Sequence, residues 1–254
     1  MNRIVEIFKN KNEKVIPFIT AGFPSKKDTL DIIYSAEKAG AAMIEVGMPF
    51  SDPLADGPII QNSSQIAIKN GVTLDWILDV IAIAREKTNI PIALMGYINP
   101  IIKYGIKKFI QKCSSVGVDG LIIPDLPPEE GLEYIKLAKL NNICPILLVS
   151  PNTSSMRIKY ISQLAESLIY CVAVLGVTGT ASGSRSEVEK YFNRVKKNSL
   201  CPFVVGFGIK NRKDVIWVNK YSHGAVIGSE IIKKLKANGD NALIVNSYIK
   251  DLLK

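Results

Sequence analysis

Short apolar runs alternate with amphipathic helical patterns along the whole chain, and this predicts an α/β fold built on a parallel sheet. The runs are continuously apolar rather than alternating, as in strands buried on both faces. Eight such strand–helix units fit into 254 residues, the count and approximate length of a (β/α)8 TIM barrel. The prediction is therefore a TIM barrel with an additional N-terminal helix. No linker interrupts the alternation, so residues 1–254 read as a single domain. A doubly wound open sheet is the competing arrangement, but it has fewer strands, and no GxGxxG follows the first one.

Taken in order, MNRIVEIFKNKNEK reads as a short amphipathic helix with Ile4, Val5 and Phe8 on one side. It is too charged for a secretory segment, and Glu6 argues against a transit peptide. VIPFITAG (15–22) is the first strand, followed by the helix KKDTLDIIYSAEKAG. AMIEVGMPF (42–50) leads through a loop to TLDWILDVIAIAREKT, PIALMGYIN (91–99) to GIKKFIQKCSSVG, and GLIIPDL (120–126) to PPEEGLEYIKLAKLNN. CPILLVSP (144–151) precedes SSMRIKYISQLA, and LIYCVAV (168–174) precedes a Gly/Ser/Thr loop and SEVEKYFNRVKKNS. PFVVGFG (202–208) precedes RKDVIWVNKYS, and GAVIGSEII (224–232) precedes NALIVNSYIKDLLK. Gly40, Gly117 and Gly224 are placed to end helices before the next strand. Two strand-to-helix connections are long, from about Ser51 to Gly71 and from Gly176 to Arg185. Both fall at the C-terminal mouth of a barrel, where such folds carry their active sites.

Composition narrows the function classes. No apolar run is long and uncharged enough to cross a bilayer, which takes roughly 20 residues. The net charge is +9, but the lysines are scattered over the helices, as in Lys107-Lys108, Lys196-Lys197 and Lys233-Lys234, with no aromatic-interleaved basic motif. That pattern predicts a solvated surface whose field attracts a small anion, and no nucleic-acid partner. Cys113, Cys144, Cys171 and Cys201 form no CxxC pair and read as reduced, buried thiols. His223 is the one histidine, so a histidine-based metal site or a Ser-His-Asp triad would have to be built on it alone, and no metal is expected.

Glu45 is the anomaly. It interrupts the apolar run Ala42, Met43, Ile44, Val46. Alternation puts Met43, Glu45 and Gly47 on one face, and if that face points inward the carboxylate enters the barrel cavity near its top. Desolvated there, it gains a raised pKa suited to proton transfer near neutrality. The alternative is a buried Glu paired with a cation, yet no strand offers an inward-facing lysine or arginine. Asp56, in DPLADGP, sits on a loop stiffened by Pro53 and Pro58; it is either a functional carboxylate or an ordinary Asp-Gly turn residue, and Asp52 reads the same way. Asp125 ends the fourth strand and is either functional or a helix N-cap. Glycine-rich ends follow the last three strands: GVTGTASG (176–183), GFGI (206–209) and Gly228-Ser229. With Gly208, Gly228 and Ser229 placed to offer backbone N–H groups, they predict a phosphorylated substrate.

These stretches together resemble the alpha subunit of tryptophan synthase along the whole chain. EVGMPFSDPLADGP is the most specific segment, and PFITAGFP, GYINPI, IIPDLPPEE, GVTG, GFGI and the final GS fall in family order. The resemblance implies retro-aldol cleavage of indole-3-glycerol phosphate to indole and glyceraldehyde 3-phosphate. By that resemblance Glu45 is the acid and base, and Asp56 binds the indole N–H and faces the charge developing on the ring. Phe18, Ile60 and Met95 match the wall around the indole, and Tyr97 and Tyr170 match aromatic residues near the reacting centre. Thr178, Gly179, Gly206, Phe207, Gly208, Gly228 and Ser229 match lid and phosphate positions. Asp52, Pro53, Asn99 and Asp125 match segments that face a partner or order loops. The family further implies an α2β2 heterotetramer in which the beta subunit carries pyridoxal phosphate, with no cofactor in this chain, in the cytoplasm or a plastid stroma. Some bacterial members have an arginine just before the lid, where this chain has Val174. The competing readings are a stand-alone lyase releasing free indole, another phosphate-binding barrel of amino-acid biosynthesis, and a non-catalytic nucleic-acid-binding module.

Overall fold

The computed structural model describes residues 1–10, 12–173, 185–206 and 208–254. Its strands are β1 (Val15–Thr20), β2 (Ile44–Gly47), β3 (Ile92–Met95), β4 (Gly120–Ile122), β5 (Cys144–Pro145), β6 (Leu147–Val149), β7 (Ile169–Val172), β8 (Phe203–Gly206) and β9 (Ala225–Ile227). All pairings are parallel, in the order β5-β4-β3-β2-β1-β9-β8-β7-β6. The two ends of that order are consecutive pieces of one chain run, joined at Ile146, whose N–H donates to the Leu121 carbonyl at 2.9 Å. The nine segments are therefore eight strands of a nearly closed barrel. The predicted fifth strand is divided in its ladder, and Pro145 within it has no N–H to give.

The helices are α1 (Arg3–Ile7), α2 (Asp28–Lys38), α3 (Pro58–Lys69), α4 (Leu74–Arg85), α5 (Ile98–Tyr104) and α6 (Ile106–Val116), then α7 (Leu132–Leu140), α8 (Ser155–Ala165), α9 (Arg185–Asn198), α10 (Arg212–Tyr221), α11 (Ser229–Lys234) and α12 (Asn241–Leu253). Three departures from expectation affect the site. The connection expected to be a loop up to Gly71 is loop only to Gly57, because Gly57 N-caps α3 and Pro58 occupies its first turn. The third strand stops at Met95, and Tyr97 to Tyr104 turn into α5. Gly224 ends no helix: α10 closes at Ser222, whereas Gly117 does close α6 with φ +86°.

Two apolar layers follow from strand periodicity. Ile44, Val46, Ile92 and Leu94 face the helices, while Phe18, Met43, Ala93, Ile122, Tyr170, Val204 and Val226 fill the barrel. The N-terminal helix closes the bottom, since Ile4 and Phe8 belong to the inner cluster. Asn2 Nδ2 donates to the carbonyls of Asp119 (2.8 Å) and Asn142 (2.7 Å). Asp119, itself buried, receives Arg85 at 2.7 Å and Arg3 at 2.9 Å. The four cysteines are buried and free. Among the described residues no helix is long and apolar enough to cross a membrane.

Candidate active site

Glu45 is on β2, aligned with Phe18 on β1 and Ala93 on β3, so its side chain shares the inner face with theirs. Its exposure is 0%, and neither carboxylate oxygen has a hydrogen-bond partner among the described residues. A carboxyl left so in an apolar interior resists ionisation, and burial pushes its pKa up to about 8. An acid of that strength can both give and take a proton near neutrality.

Two residues above Glu45, β2 ends and the chain opens into the turn carrying Asp56. A pocket at this C-terminal mouth is lined by Phe18, Thr20, Gly47, Met48, Asp56, Ile60, Ser64, Met95, Gly96, Tyr97 and Pro124. The structure thus brings Asp56, Phe18, Ile60, Met95 and Tyr97 around one space, with Glu45 buried beneath it. Asp56 is half-buried; burial raises its pKa, and the neighbouring Tyr97 hydroxyl pulls it part of the way back. The turn is tied at two points. Ala55 N–H donates to the Tyr97 hydroxyl at 3.0 Å, and Gln61 Nε2 donates to the Asp56 carbonyl at 2.8 Å. Behind it, α3 is pinned to β1 by the Thr20–Ser63 hydroxyl pair at 2.6 Å.

Tyr170, on β7, is buried, and its pKa is raised well above the ordinary phenol value by burial first and by the charges of Glu45 and Asp56 among others. Its position explains Gly206. A Cβ there would lie 1.8 Å from the Tyr170 hydroxyl, so only glycine leaves the phenol its place. Gly47 does the same for Phe18, whose ring would be 2.6 Å from an added Cβ. Gly208 has φ +82°, a left-handed backbone that favours glycine. Gly228 is the N-cap of α11, with Ser229 as the first residue of that helix.

Asp125 is exposed on the loop after β4, and its Oδ1 accepts the Ile98 N–H at 3.0 Å. It does cap a helix, though α5 of the preceding unit rather than α7 of its own. Asn99, exposed in the first turn of α5, and Asp52 and Pro53, on the rim of the turn, lie outside the pocket lining. Thr178, Gly179, Phe207, Val174 and, of the lid expected from Gly176 to Arg185, all but Arg185 itself fall outside the described residues. Among the described residues no cluster of His, Cys, Asp and Glu could hold a metal ion. A second cavity of about 420 Å3 opens at the opposite end of the barrel, between α1 and Cys144, Pro145 and Pro202, and contains none of these residues.

The family model for the tryptophan synthase alpha chain matches residues 5–250. The chain belongs to that family. Relatives described as tryptophan synthase alpha chains include one from Petrotoga mobilis, 44% identical across 95% of this chain and 93% of its own length. Another, from Christiangramia forsetii, is 42% identical across 98% of each. Among solved structures, the tryptophan synthase subunit alpha of Legionella pneumophila superimposes with a TM-score of 0.91 at 31% identity, covering 99% of this chain and 97% of that one. A chain of the tryptophan synthase complex from Pyrococcus furiosus gives 0.87 at 31% identity, covering 95% and 98%.

Sequence reasoning missed part of this alpha-chain pocket. Thr20 continues the inward period of Ile16 and Phe18, a signal that two-residue alternation contains. Met48, Gly96 and Pro124 follow the ends of their strands, where periodicity lapses, and carry no local signal.

Proposed function

We propose that this chain cleaves indole-3-glycerol phosphate to indole and glyceraldehyde 3-phosphate, with Glu45 as proton donor and acceptor and Asp56 as partner of the indole nitrogen. The observation that carries this reading is the Glu45 carboxyl beneath the pocket, wholly buried and without a hydrogen-bond partner among the described residues. Protonated at neutral pH, it delivers its proton to indole C3, which becomes tetrahedral while positive charge spreads to the ring nitrogen. The resulting carboxylate then takes the proton of the adjacent glycerol hydroxyl. The C–C bond breaks, its electron pair restores the indole, and the hydroxyl carbon becomes the aldehyde. One proton leaves Glu45 and one returns, so the cycle closes without a cofactor in this chain. Asp56 accepts the indole N–H and offsets the charge there, while Phe18, Ile60 and Met95 supply an apolar wall and Tyr97 and Tyr170 frame the reacting centre. Gly208, Gly228 and Ser229 present backbone N–H groups to the phosphate, with Gly206 at the strand end beside them.

The chain works in an α2β2 heterotetramer with a beta subunit that carries pyridoxal phosphate and receives the indole, in the cytoplasm or a plastid stroma. Apolar surface supports a partner at the mouth: Leu54, on the Asp56 turn, is 93% exposed, and Ile102 on α5 is 56% exposed. Asp52 and Pro53 precede Leu54 on that turn, and Asn99 lies three residues before Ile102 on α5. The test is glyceraldehyde 3-phosphate formation from indole-3-glycerol phosphate, with and without a beta subunit. Cleavage by the isolated chain that a beta subunit leaves unchanged identifies a self-sufficient lyase instead.

A further inference from the structure

The turn between β2 and α3 has little of its own to hold it. Ser51, Asp52, Leu54 and Ala55 are exposed, and Asp56 is half-buried. Tyr97 is the element that binds it to the barrel. The Ala55 N–H donates to the Tyr97 hydroxyl at 3.0 Å, which leaves the phenol's own proton to act on the neighbouring Asp56 carboxyl. A phenol has one proton to give and lone pairs to receive one, so a single hydroxyl performs both roles. The ring has little freedom. It is 5% exposed and packs on Phe50 with centroids 5.3 Å apart. Its main chain is the N-cap of α5, where the next N–H, from Ile98, is held by Asp125 Oδ1 at 3.0 Å. The contact of Gln61 with Asp56 is to the main-chain carbonyl and does not engage the carboxylate.

Building on the role given to Asp56 above, we propose that Tyr97 is a positioning residue for the cleavage step: its hydroxyl latches the Asp56 turn to the pocket and donates to the Asp56 carboxylate, and Asp125 fixes Tyr97 through the α5 cap. The chemistry requires an anion at Asp56, since only the carboxylate accepts the indole N–H without a competing proton and offsets the ring charge. Burial opposes that ionisation, and the Tyr97 hydrogen bond favours it. Tyr97 stays a donor because burial, then the charge of Asp56, hold its own proton on. The other titratable groups facing these two are Tyr170 from β7, next to both Asp56 and Glu45, and Asp125 from the β4 loop, next to Tyr97. All are acids. Among the described residues no cation acts on the Asp56 carboxyl, which leaves the phenol as its stabilising neighbour.

The test is the pH profile of indole-3-glycerol phosphate cleavage by the complex with the beta subunit, from about pH 5 to about pH 9, for the parent and Tyr97→Phe. The expected result for Tyr97→Phe is a kcat lower by about tenfold or more, a KM changed less than kcat, and an acidic limb moved to higher pH. The alkaline limb, which belongs to Glu45, stays in place. Site-specific 3,5-difluorotyrosine at position 97, a stronger donor, moves the acidic limb to lower pH instead. Asp125→Ala repeats the loss of kcat, and Asp125→Asn, which keeps an acceptor for the Ile98 N–H, restores most of it. Parent-like kinetics in Tyr97→Phe overturn the latch. So does a loss of kcat with the acidic limb unmoved, which makes Tyr97 a packing residue only. A parent complex that forms no glyceraldehyde 3-phosphate overturns the functional reading and the latch with it, so the parent's rate separates the two failures.

Discussion

The difference in stability between Glu45→Gln and the parent should move in the variant's favour as pH rises. The carboxyl has no exposure and no hydrogen-bond partner among the described residues, and burial raises its pKa from 4.5 to about 8. Between those values the unfolded chain has released this proton while the folded chain still binds it. Stability is therefore greatest below the lower value and is lost as pH rises toward the upper one. The interval from 4.5 to about 8, at about 1.4 kcal/mol for each pH unit, amounts to roughly 5 kcal/mol. Glutamine keeps the shape and does not titrate; its own partnerless amide adds a constant offset. For a chain of this size the accumulated difference corresponds to a melting-temperature gap on the order of 10–20 °C. The assay is urea unfolding of parent and Glu45→Gln at steps from about pH 5 to about pH 9. The difference between them should widen up to about pH 8 and then level off. Parallel curves across that range would refute the reasoning, because they would mean that the carboxyl titrates alike in both states.

Other expectations follow from the same geometry. Asp56→Asn should lose most of kcat, by about a hundredfold or more, if the anion is needed at the indole nitrogen; near-parent turnover returns Asp56 to the status of a turn residue. Gly206→Ala places a methyl 1.8 Å from the Tyr170 hydroxyl, so a crystal structure of that variant should show the phenol displaced and steady-state assays a lowered kcat. Asp119→Ala strips Arg85 and Arg3 of their shared partner and should cost about 3–5 kcal/mol in urea unfolding with little effect on kcat, since the cluster is at the far end of the barrel. Hydrogen exchange over residues 51–57 should slow when a beta subunit binds while kcat rises; a turn already protected in the free chain, with kcat unchanged, contradicts activation by the partner.

Much of the fold was legible because parallel strands buried on both faces read as apolar runs, and all eight runs are strands. Two-residue alternation put Glu45 on one face with Met43 and Gly47, and the barrel's pairing shows that face to be the inner one. Helix α3 was hidden for a physical reason: its buried face is Ser63, Ser64 and Ala67, small and partly polar residues that give no strong apolar stripe. Its start was nevertheless marked by Gly57-Pro58. Asp125 shows a second limit. Its chemistry as a cap was readable, but the helix it caps belongs to the neighbouring unit, and only the closed barrel brings the two together. The tie between Ala55 and Tyr97 spans 42 positions and exists in no local pattern.

The central claim is that a buried Glu45 carries the proton through the cleavage. It is tested most directly by glyceraldehyde 3-phosphate formation from indole-3-glycerol phosphate, comparing the parent with Glu45→Gln in complex with a beta subunit as pH is varied. The parent should be active with its carboxyl protonated and lose activity as pH rises through about 8, while the glutamine variant binds substrate and releases no product at any pH. Turnover by Glu45→Gln within about tenfold of the parent, a gap of only about 1.4 kcal/mol in the barrier, would contradict the account.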